Sequence, residues 1–378
     1  MTPENEPIYF DCNASNPMDG RVCTAVFEWM QGIQGNPEAV LHQHGSLAMR
    51  LVEKARLQIS EVIGSRKEEI IFTSGATESN NLGLLGLVSY GLARGKRHLV
   101  TSSVEHSSVW EVLKHMENMG FLCDRVGVNS HGSVDPQELL ELVRPDTLLV
   151  SLMAVNNLTG ARQPILEVAD GLKDTDVFFH VDAAQGFGRM NEELKAPQIH
   201  LMSISGHKIY GPKGIGALMV REGTPLKPIM FGGGQQNALR PGTLPAPLIA
   251  GLGLAAELAE REKGHRGKKC AVMGERLMTA LEPLNPTYFS HAQTCLPHVK
   301  CLAIPGVDAN LAISVLSDQI SISRGSACAT SQTGPSPALL AMSEDPAILD
   351  SVLRFSWSHE TKEPDWARLV RSFMALKI

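Results

Sequence analysis

Short apolar runs alternate with helix-like stretches from about residue 69 to residue 221. The runs read EEIIFT, RHLVTS, DTLLVSLMAV, VFFHV, LMSIS and IGALMV. Strands that alternate with helices usually pair in parallel, and the helices then cover both faces of the sheet. The pattern therefore predicts an α/β fold with a largely parallel, doubly wound sheet. At residues 260–269, EREKGHRGKK, the composition becomes highly charged and new strand and helix signals follow, so we expect a domain change there.

Polar residues follow five of these runs, at the points where the strands end. The continuations read SGATESN, SVEHSS, NNLTG, DAAQ and GHKIYGPKG. In an open parallel sheet, ligands bind in the crevice beyond the carboxyl ends of the strands. We therefore expect a single site that gathers Thr77, His106, Asn157, Asp182, Gln185, His207 and Lys208.

Three of these features suggest a chemistry. SGATESN joins a strand to a helix start, whose free N–H groups suit a phosphate, although an ordinary capped helix has the same pattern. Asp182 follows buried apolar residues and needs a cationic partner, which could be a protonated ring nitrogen, an arginine or a metal. Lys208 is framed by glycines at 206, 211 and 214, so its amine could be desolvated and nucleophilic rather than an ordinary surface charge.

A phosphate cradle, a carboxylate for a ring nitrogen and a nucleophilic lysine together indicate pyridoxal 5'-phosphate. The chain contains neither GxGxxG nor GxxxxGK[ST], which disfavours dinucleotides and nucleoside triphosphates. His106 could stack on the cofactor ring and move protons, or it could be a helix cap or core contact. No metal is expected.

Composition narrows the class of protein. A hydrophobic fraction of 43% with 20% charged residues indicates a folded globular chain, and the net charge of -6 offers no general attraction for nucleic acid or membrane. Seven cysteines without a CxxC pair disfavour a disulfide framework or a zinc cage. The opening MTPENEPIYF fits neither a secretory signal nor a transit peptide, and no run reaches transmembrane length. We expect a cytoplasmic protein with a small substrate.

These and further motifs resemble the cysteine desulfurases of the nitrogen-fixation and iron-sulfur-cluster type, which are fold type I pyridoxal-phosphate enzymes. The resemblance runs along nearly the whole chain, in the family's order, through FTSGATESNNL, SSVEHSSV, VNNLTG, HVDAAQ, SGHKIYGPKGIGAL, FGGGQQNALRPGT, SRGSACAT and LRFS. It implies a large cofactor-binding domain over residues 15–261 and a smaller α/β domain from residues 1–14 and 262–378. The implied reaction removes sulfur from L-cysteine and leaves L-alanine and an enzyme persulfide.

The resemblance also implies how the cofactor is held. Lys208 would bind it covalently, Asp182 would pair with its ring nitrogen, and Gln185 would contact its phenolic oxygen. His106 would stack over the ring and act as acid or base. Thr243 would reach the phosphate from the second subunit, which requires a homodimer. The remaining phosphate contacts would come from Ala76, Thr77, Ser205 and His207.

Two further parts of the site concern the substrate and its sulfur. Asn157 and Arg354 resemble the pair that holds the amino acid's carboxylate. Cys328 lies in SISRGSACATSQTG, residues 321–334, where small residues leave little to pack. We expect this loop, about residues 321–336, to carry the thiol from the cofactor to a sulfur-acceptor protein.

Four positions depart from the family pattern and suggest a specialised branch. Arg324 stands where serine is usual, Leu158 and Gln236 where glutamate is common, and Cys12 where tyrosine is common. The charge of Arg324 should favour the thiolate or tether the loop to an acidic surface.

The pathway that receives the sulfur stays open among iron-sulfur cluster assembly, tRNA or cofactor thiolation, and DNA phosphorothioation.

Two other functions remain as alternatives. A selenocysteine lyase, or another lyase of the same fold, would keep the cofactor chemistry, but it would have no need for a thiol in a small-residue loop. An inactive cofactor-binding scaffold would have no need to retain Lys208, His106, Asp182, Arg354 and Cys328 together.

Overall fold

The computed structural model describes residues 6–324, 337–342 and 345–377. Its strands are β1 (Ile8–Tyr9), β2 (Ile70–Thr73), β3 (His98–Ser102), β4 (Leu122–Val126), β5 (Thr147–Met153), β6 (Phe178–Asp182), β7 (Leu201–Ser205), β8 (Gly216–Val220), β9 (Thr287–Tyr288), β10 (Val299–Ala303), β11 (Ile320–Ser321), β12 (Ser323–Arg324) and β13 (Val352–Ser356). Its α-helices are α1 (Gly20–Gly32), α2 (Gln43–Ile63), α3 (Ala76–Leu85), α4 (Val88–Arg94), α5 (Ser107–Asn118), α6 (Pro136–Glu141), α7 (Ile165–Gly171), α8 (Ala246–Leu281), α9 (Ala309–Val315), α10 (Pro337–Met342), α11 (Pro346–Asp350) and α12 (Trp366–Ala375).

The largest sheet has seven strands in the order β2-β8-β7-β6-β5-β3-β4. Strand β8 runs antiparallel to both of its neighbours, and the other pairs are parallel. The predicted α/β fold with a mostly parallel sheet is therefore confirmed. All six apolar runs became strands of this sheet. Strand β4, which those runs did not include, lies at the sheet edge and is mostly exposed or half-buried, so its apolar pattern is weak.

Both faces of this sheet are buried. Successive residues of a strand point to opposite faces. Val100 and Val150 accordingly pack into a cluster with residues of α2 and α8, while Leu99 and Leu149 pack into another cluster with residues of α3 and α5. The sheet is therefore a rigid layer between helices, and its carboxyl-end edge is the part left free for a site.

Helix α8 joins this sheet to a second core. It runs without interruption through the charged segment at residues 260–269. Ala259, directly before that segment, belongs to the core under the large sheet, whereas Cys270, directly after it, belongs to a cluster with Phe10 and Trp357. The change of core thus falls inside one helix whose middle is charged.

The second core supports an antiparallel sheet in the order β12-β13-β10-β9. Strand β1 pairs in parallel with β11, which attaches the residues from Ile8 onward to this part of the molecule. An apolar cluster that includes Leu158, Phe289 and Cys301 packs the two parts together. Within the described ranges, no helix combines the length and the apolarity needed to cross a membrane.

We predict that Gly216→Ala destabilises the protein. A Cβ at Gly216 would lie 2.6 Å from Cα of Gly75 and even closer to the carbonyl oxygen of Ile204, and both obstacles are backbone. Overpacking of this kind costs about 1 to 3 kcal/mol of unfolding free energy. The measurement is urea denaturation of the variant beside Gly127→Ala, where a Cβ meets nothing within 4 Å and which should be neutral or slightly stabilising. Equal unfolding midpoints for the two variants would contradict this account of the close backbone approach at Gly216.

Candidate active site

A cavity of about 580 Å³ lies at the carboxyl-end edge of the large sheet, where the second part of the molecule meets it. Nearly all of the site residues expected from the sequence line it: Ala76, Thr77, His106, Asn157, Asp182, Gln185, Ser205, His207, Lys208 and Arg354. Thr243 is exposed and is not among the lining residues of its own subunit. Cys328 lies outside the described residues.

Asp182 ends strand β6 and is 5% exposed. Its two carboxylate oxygens accept hydrogen bonds from the Asn80 side-chain amide at 2.9 Å and from the Ala184 backbone N–H at 2.9 Å. Among the residues that the structure describes, no lysine, arginine or histidine forms an ion pair with it. A buried carboxylate without a cation is costly, so this oxygen pair is suited to a cationic ligand atom in the cavity.

Lys208 lies in a short 3-10 turn, Gly206–Ile209, directly after β7. Its ammonium nitrogen donates hydrogen bonds to the carbonyl oxygens of Asn13 and Ala14, the latter at 2.9 Å. The amine is thereby directed toward the segment at residues 13–14, in the wall of the cavity that Asp182 also lines. The structure places Lys208 in the cavity wall, and its role as the lysine that binds the cofactor stays a prediction.

The segment at residues 13–15 is a part of the site that sequence reasoning missed. Besides receiving Lys208, it accepts a hydrogen bond from the Gln185 amide at the Asn13 carbonyl (3.0 Å) and places the Ser15 hydroxyl 3.1 Å from Nδ1 of His207. The signal that could have found this segment is a polar stretch directly after an apolar run. DCNAS follows IYF at residues 8–10, much as DAAQ follows the apolar residues of β6.

Two buried amide oxygens near Lys208 have no hydrogen-bond partner within the described part of the chain. They are Oδ1 of Asn13 and Oε1 of Gln185. Buried polar atoms in proteins are nearly always paired with protein, water or ligand. The unmet acceptors therefore indicate that this wall of the cavity is built to receive a polar ligand.

The turn between β2 and α3 forms another wall. Gly75 has φ 155°, a conformation that favours glycine, and caps the amino end of the ten-residue helix α3. Ala76 and Thr77 begin that helix, so their N–H groups lie at its positive end and face the same cavity as Ser205 and His207. Burial, with the nearby Lys208 and Lys213 ammonium groups, lowers the pKa of His207 to about 4. Its ring is therefore neutral at pH 7.

His106 is linked to Asp182 through side chains of two helices. The His106 Nδ1 atom accepts from the Ser108 backbone N–H at 3.1 Å and lies 2.8 Å from the Ser108 hydroxyl. The Asn80 amide donates to both Ser108 Oγ (2.8 Å) and Asp182 (2.9 Å). Because Nδ1 is an acceptor, the network assigns the proton of the neutral ring to Nε2. Sequence reasoning missed Asn80, a polar residue on the buried side of α3.

Glu105, beside His106, is a buried acid that sequence reasoning also missed. Its Oε1 accepts from the Ser102 hydroxyl (2.6 Å) and from the Met153 N–H (2.9 Å), which ties the end of β3 to the end of β5. Its Oε2 is buried and has no partner among the described residues. Burial raises the pKa of Glu105 to about 8, so the carboxyl group is largely protonated at pH 7.

Arg354 reaches the cavity from β13 and is only 1% exposed. Its Nη2 donates to Asp11 Oδ1 at 2.5 Å, and its Nη1 donates to the carbonyl oxygen of Asn157 at 3.2 Å. The two residues predicted to hold a carboxylate are thus in contact, although through the backbone of Asn157.

The six described cysteines are unsuited to reaction at this cavity. None lines it. Burial raises the thiol pKa of five of them, for example to about 12 in Cys12 and about 11 in Cys270, which keeps them protonated and poorly nucleophilic. The sixth, Cys23, is exposed on α1.

Three departures from the family pattern have structural explanations. Leu158 is 2% exposed and belongs to the apolar cluster between the two parts of the molecule. The Gln236 amide accepts from the Phe72 N–H at 2.6 Å and donates to its carbonyl at 2.8 Å, and a glutamate could make only the first bond. Arg324 pairs with Asp350 at 3.0 Å, so its charge is held by an acid of the same subunit.

The chain matches the model of the aminotransferase class-V family over residues 8–369. It is 40% identical to the mitochondrial cysteine desulfurase of Drosophila melanogaster over 356 residues, which covers 93% of this chain and 77% of the relative. Its structure resembles that of a NifS-like protein with a TM-score of 0.90, 32% identity and 98% coverage of both chains. It also resembles the structure of SspA in complex with cysteine, with a TM-score of 0.82, 33% identity and coverage of 94% and 100%.

The chain therefore belongs to the aminotransferase class-V family and, within it, to the cysteine desulfurases, which depend on pyridoxal phosphate. The cavity fits that cofactor: Asp182 has no cationic partner among the described residues, Lys208 supplies an amine, and the amino end of α3 lies in the same cavity. When bound, the cofactor draws electrons from an attached amino acid and labilises its bonds.

We predict that Glu105→Gln flattens the pH dependence of stability. The folded-state pKa of about 8 lies above the usual value of 4.5, so the folded protein holds a proton that the unfolded chain releases. Stability should therefore fall as pH rises from about 4.5 through 8. The measurement is urea unfolding at several pH values in this interval, with Glu111→Gln on the exposed face of α5 as control. Parallel curves for wild type and Glu105→Gln would contradict the buried protonated acid.

Proposed function

We propose that this protein takes sulfur from L-cysteine, releases L-alanine and carries the sulfur as a persulfide on Cys328. The observation that supports it most is that one cavity is lined by Lys208, by Arg354 and by Asp182, which has no cationic partner among the residues that the structure describes. This combination provides an amine for a carbonyl cofactor, an anion for a ring nitrogen and a guanidinium for a carboxylate.

In this proposal the cofactor would be held by residues of several elements. Lys208 would attach it, Asp182 would stabilise a protonated ring nitrogen and Gln185 would contact the phenolic oxygen. His106 would stack over the ring and act as acid or base. The phosphate would be bound at the positive end of α3 by the polar groups of Ala76, Thr77, Ser205 and His207.

The sulfur step conserves atoms and electrons. The Cys328 thiolate attacks the sulfur of the bound cysteine, so that a sulfur–sulfur bond forms and the carbon–sulfur bond breaks. The electron pair of the broken bond stays with carbon, which takes up a proton and becomes the methyl group of alanine. Arg354 and Asn157 hold the substrate carboxylate during this step. A sulfur-acceptor protein in the cytoplasm then removes the outer sulfur.

A homodimer completes the site in this proposal. Thr243 is exposed, as expected for a residue that serves the cavity of the other subunit. Large apolar side chains are also exposed on the same chain, including Leu41 (100%), Phe231 (87%) and Phe27 (61%). A contiguous patch of such side chains favours a protein interface, and we place this interface at Phe231, about a dozen residues before Thr243 in the chain.

We predict that Cys328→Ser binds cysteine but forms no protein persulfide, because a serine hydroxyl is a far weaker nucleophile toward sulfur at neutral pH. The holoenzyme is incubated with cysteine without added thiol, alanine is quantified, and persulfides are labelled and located by peptide mass spectrometry. Cys23→Ser, which changes the exposed cysteine of α1, should behave as wild type. Full-rate alanine production by Cys328→Ser, or label on another cysteine of the wild type, would exclude this carrier.

We predict that Phe231→Glu weakens the dimer and lowers cofactor affinity together, because an added charge disfavours an apolar interface and withdraws Thr243 from the partner's site. Light scattering gives the mass, and equilibrium dialysis gives the cofactor dissociation constant. The control is Val272→Glu, which charges an apolar residue that is 48% exposed on α8. A Phe231→Glu protein with the wild-type mass would place the interface elsewhere.

A further inference from the structure

Asp11 is an acid of the site that the assigned roles leave unused. It follows β1, at the point where the chain passes from the second sheet to the Lys208 cavity. Its Oδ1 accepts from Arg354 Nη2 at 2.5 Å and from the Ser323 hydroxyl at 2.9 Å. Ser323 and Arg354 are paired residues of the β12–β13 ladder, so all three side chains meet at one place.

Arg354 depends on this contact for its charge balance. The side chain of Arg354 is 2% exposed, whereas that of Asp11 is 19% exposed. Among the described residues, Asp11 is the acid that forms an ion pair with this guanidinium. Removing the counter-charge of a buried cation is strongly unfavourable, so Asp11 compensates the charge of Arg354 and fixes its side chain before a substrate arrives.

The ion pair with Asp11 uses part of the Arg354 guanidinium, which is the group that a substrate carboxylate would bind. Nη2 donates to Asp11, Nη1 donates to the Asn157 carbonyl, and Nε is buried without a partner within the described ranges. A carboxylate entering the cavity must therefore take its hydrogen bonds beside, or in place of, Asp11. Two anions at one guanidinium repel each other, and this repulsion lowers the affinity of the second.

We propose that Asp11 is a positioning residue that holds Arg354 for the substrate carboxylate and, by its own charge, limits how tightly that carboxylate binds. The inference rests on the proposed role of Arg354. The Ser323 hydroxyl moderates the effect, because it shares the carboxylate oxygen that faces Arg354. Asp11 thus keeps the side chain of Arg354 oriented for a carboxylate. It also keeps the affinity for that carboxylate low enough for an amino-acid product to leave.

The test uses holoenzyme carrying Cys328→Ser, so that no sulfur is transferred, and follows binding through the visible absorbance of the cofactor. The two probes are L-cysteine and cysteamine, which has the same amine and thiol but no carboxylate. Asp11→Asn keeps the shape and an acceptor oxygen but removes the charge. We expect it to bind cysteine about tenfold more tightly, with cysteamine changed by less than about twofold. A purely structural role would shift both probes together.

A second variant keeps the proposal testable if Asp11→Asn does not fold, and a third serves as the control. Ser323→Ala removes the second donor and leaves the charge of Asp11 wholly to Arg354, so cysteine should bind about two- to threefold less tightly while cysteamine is unchanged. Asp318→Asn, which removes an exposed acid paired with Arg368, should change neither probe. Tighter cysteine binding in Ser323→Ala, or an unchanged ratio of the two probes in Asp11→Asn, would overturn the inference.

Arg354→Gln separates failure of the inference from failure of the proposed function. If this variant binds cysteine as well as the parent protein does, Arg354 does not hold the carboxylate and the proposed role is wrong. If it weakens cysteine binding while Asp11→Asn leaves the ratio of the probes unchanged, the role of Arg354 stands and only the inference about Asp11 fails.

Discussion

The amine of Lys208 is held by two backbone carbonyl oxygens, those of Asn13 and Ala14, and the rest of the site depends on this contact. These carbonyls belong to a segment that is anchored through the β1–β11 pair to the second part of the molecule, whereas Lys208 follows a strand of the large sheet. The lysine is therefore oriented only when the two parts of the molecule are packed together. The apolar cluster around Leu158 and Phe289 supplies that packing without placing polar groups in it.

Around this contact, the polar groups fall into two kinds. Some are joined by hydrogen bonds, such as the side chains of His106, Ser108, Asn80 and Asp182, and these bonds orient the His106 ring. Others are buried and unpaired in the described residues, such as the amide oxygens of Asn13 and Gln185. Because unpaired buried acceptors are costly, they mark where a ligand must complete the structure.

Burial and charge pairing keep the buried thiols and two of the arginines unreactive: the thiols stay protonated, and the arginines are paired with acids. The buried cysteines have raised pKa values and stay protonated, so that they are chemically quiet in a protein that handles sulfur. Arg354 is balanced by Asp11, and Arg324 is balanced by Asp350, so neither arginine is an uncompensated charge. A desulfurase gains from this arrangement, since only one thiol should react with the substrate sulfur.

The sequence alone was enough to predict the parallel sheet and the residues at its strand ends. Alternating apolar runs and helices admit few topologies, and carboxyl ends of parallel strands converge whatever the details of packing. Asp182, Gln185 and Lys208 were found in this way. Their assigned chemical roles, and the thiol of Cys328, come from family motifs and await the experiments above.

Only the tertiary structure showed what Asp11, Asn13, Asn80 and Glu105 contact. These residues act through partners that are far away in the chain: Asp11 meets Arg354 343 positions later, and Asn80 meets Asp182 102 positions later. No local periodicity records such pairs, because a polar residue near a strand end has the same pattern whether it faces solvent or a distant guanidinium. The tertiary packing decides between those outcomes: the second part of the molecule brings Arg354 to Asp11, and the helices and strand ends around the large sheet bring Asn80 to Asp182 and the Met153 N–H to Glu105.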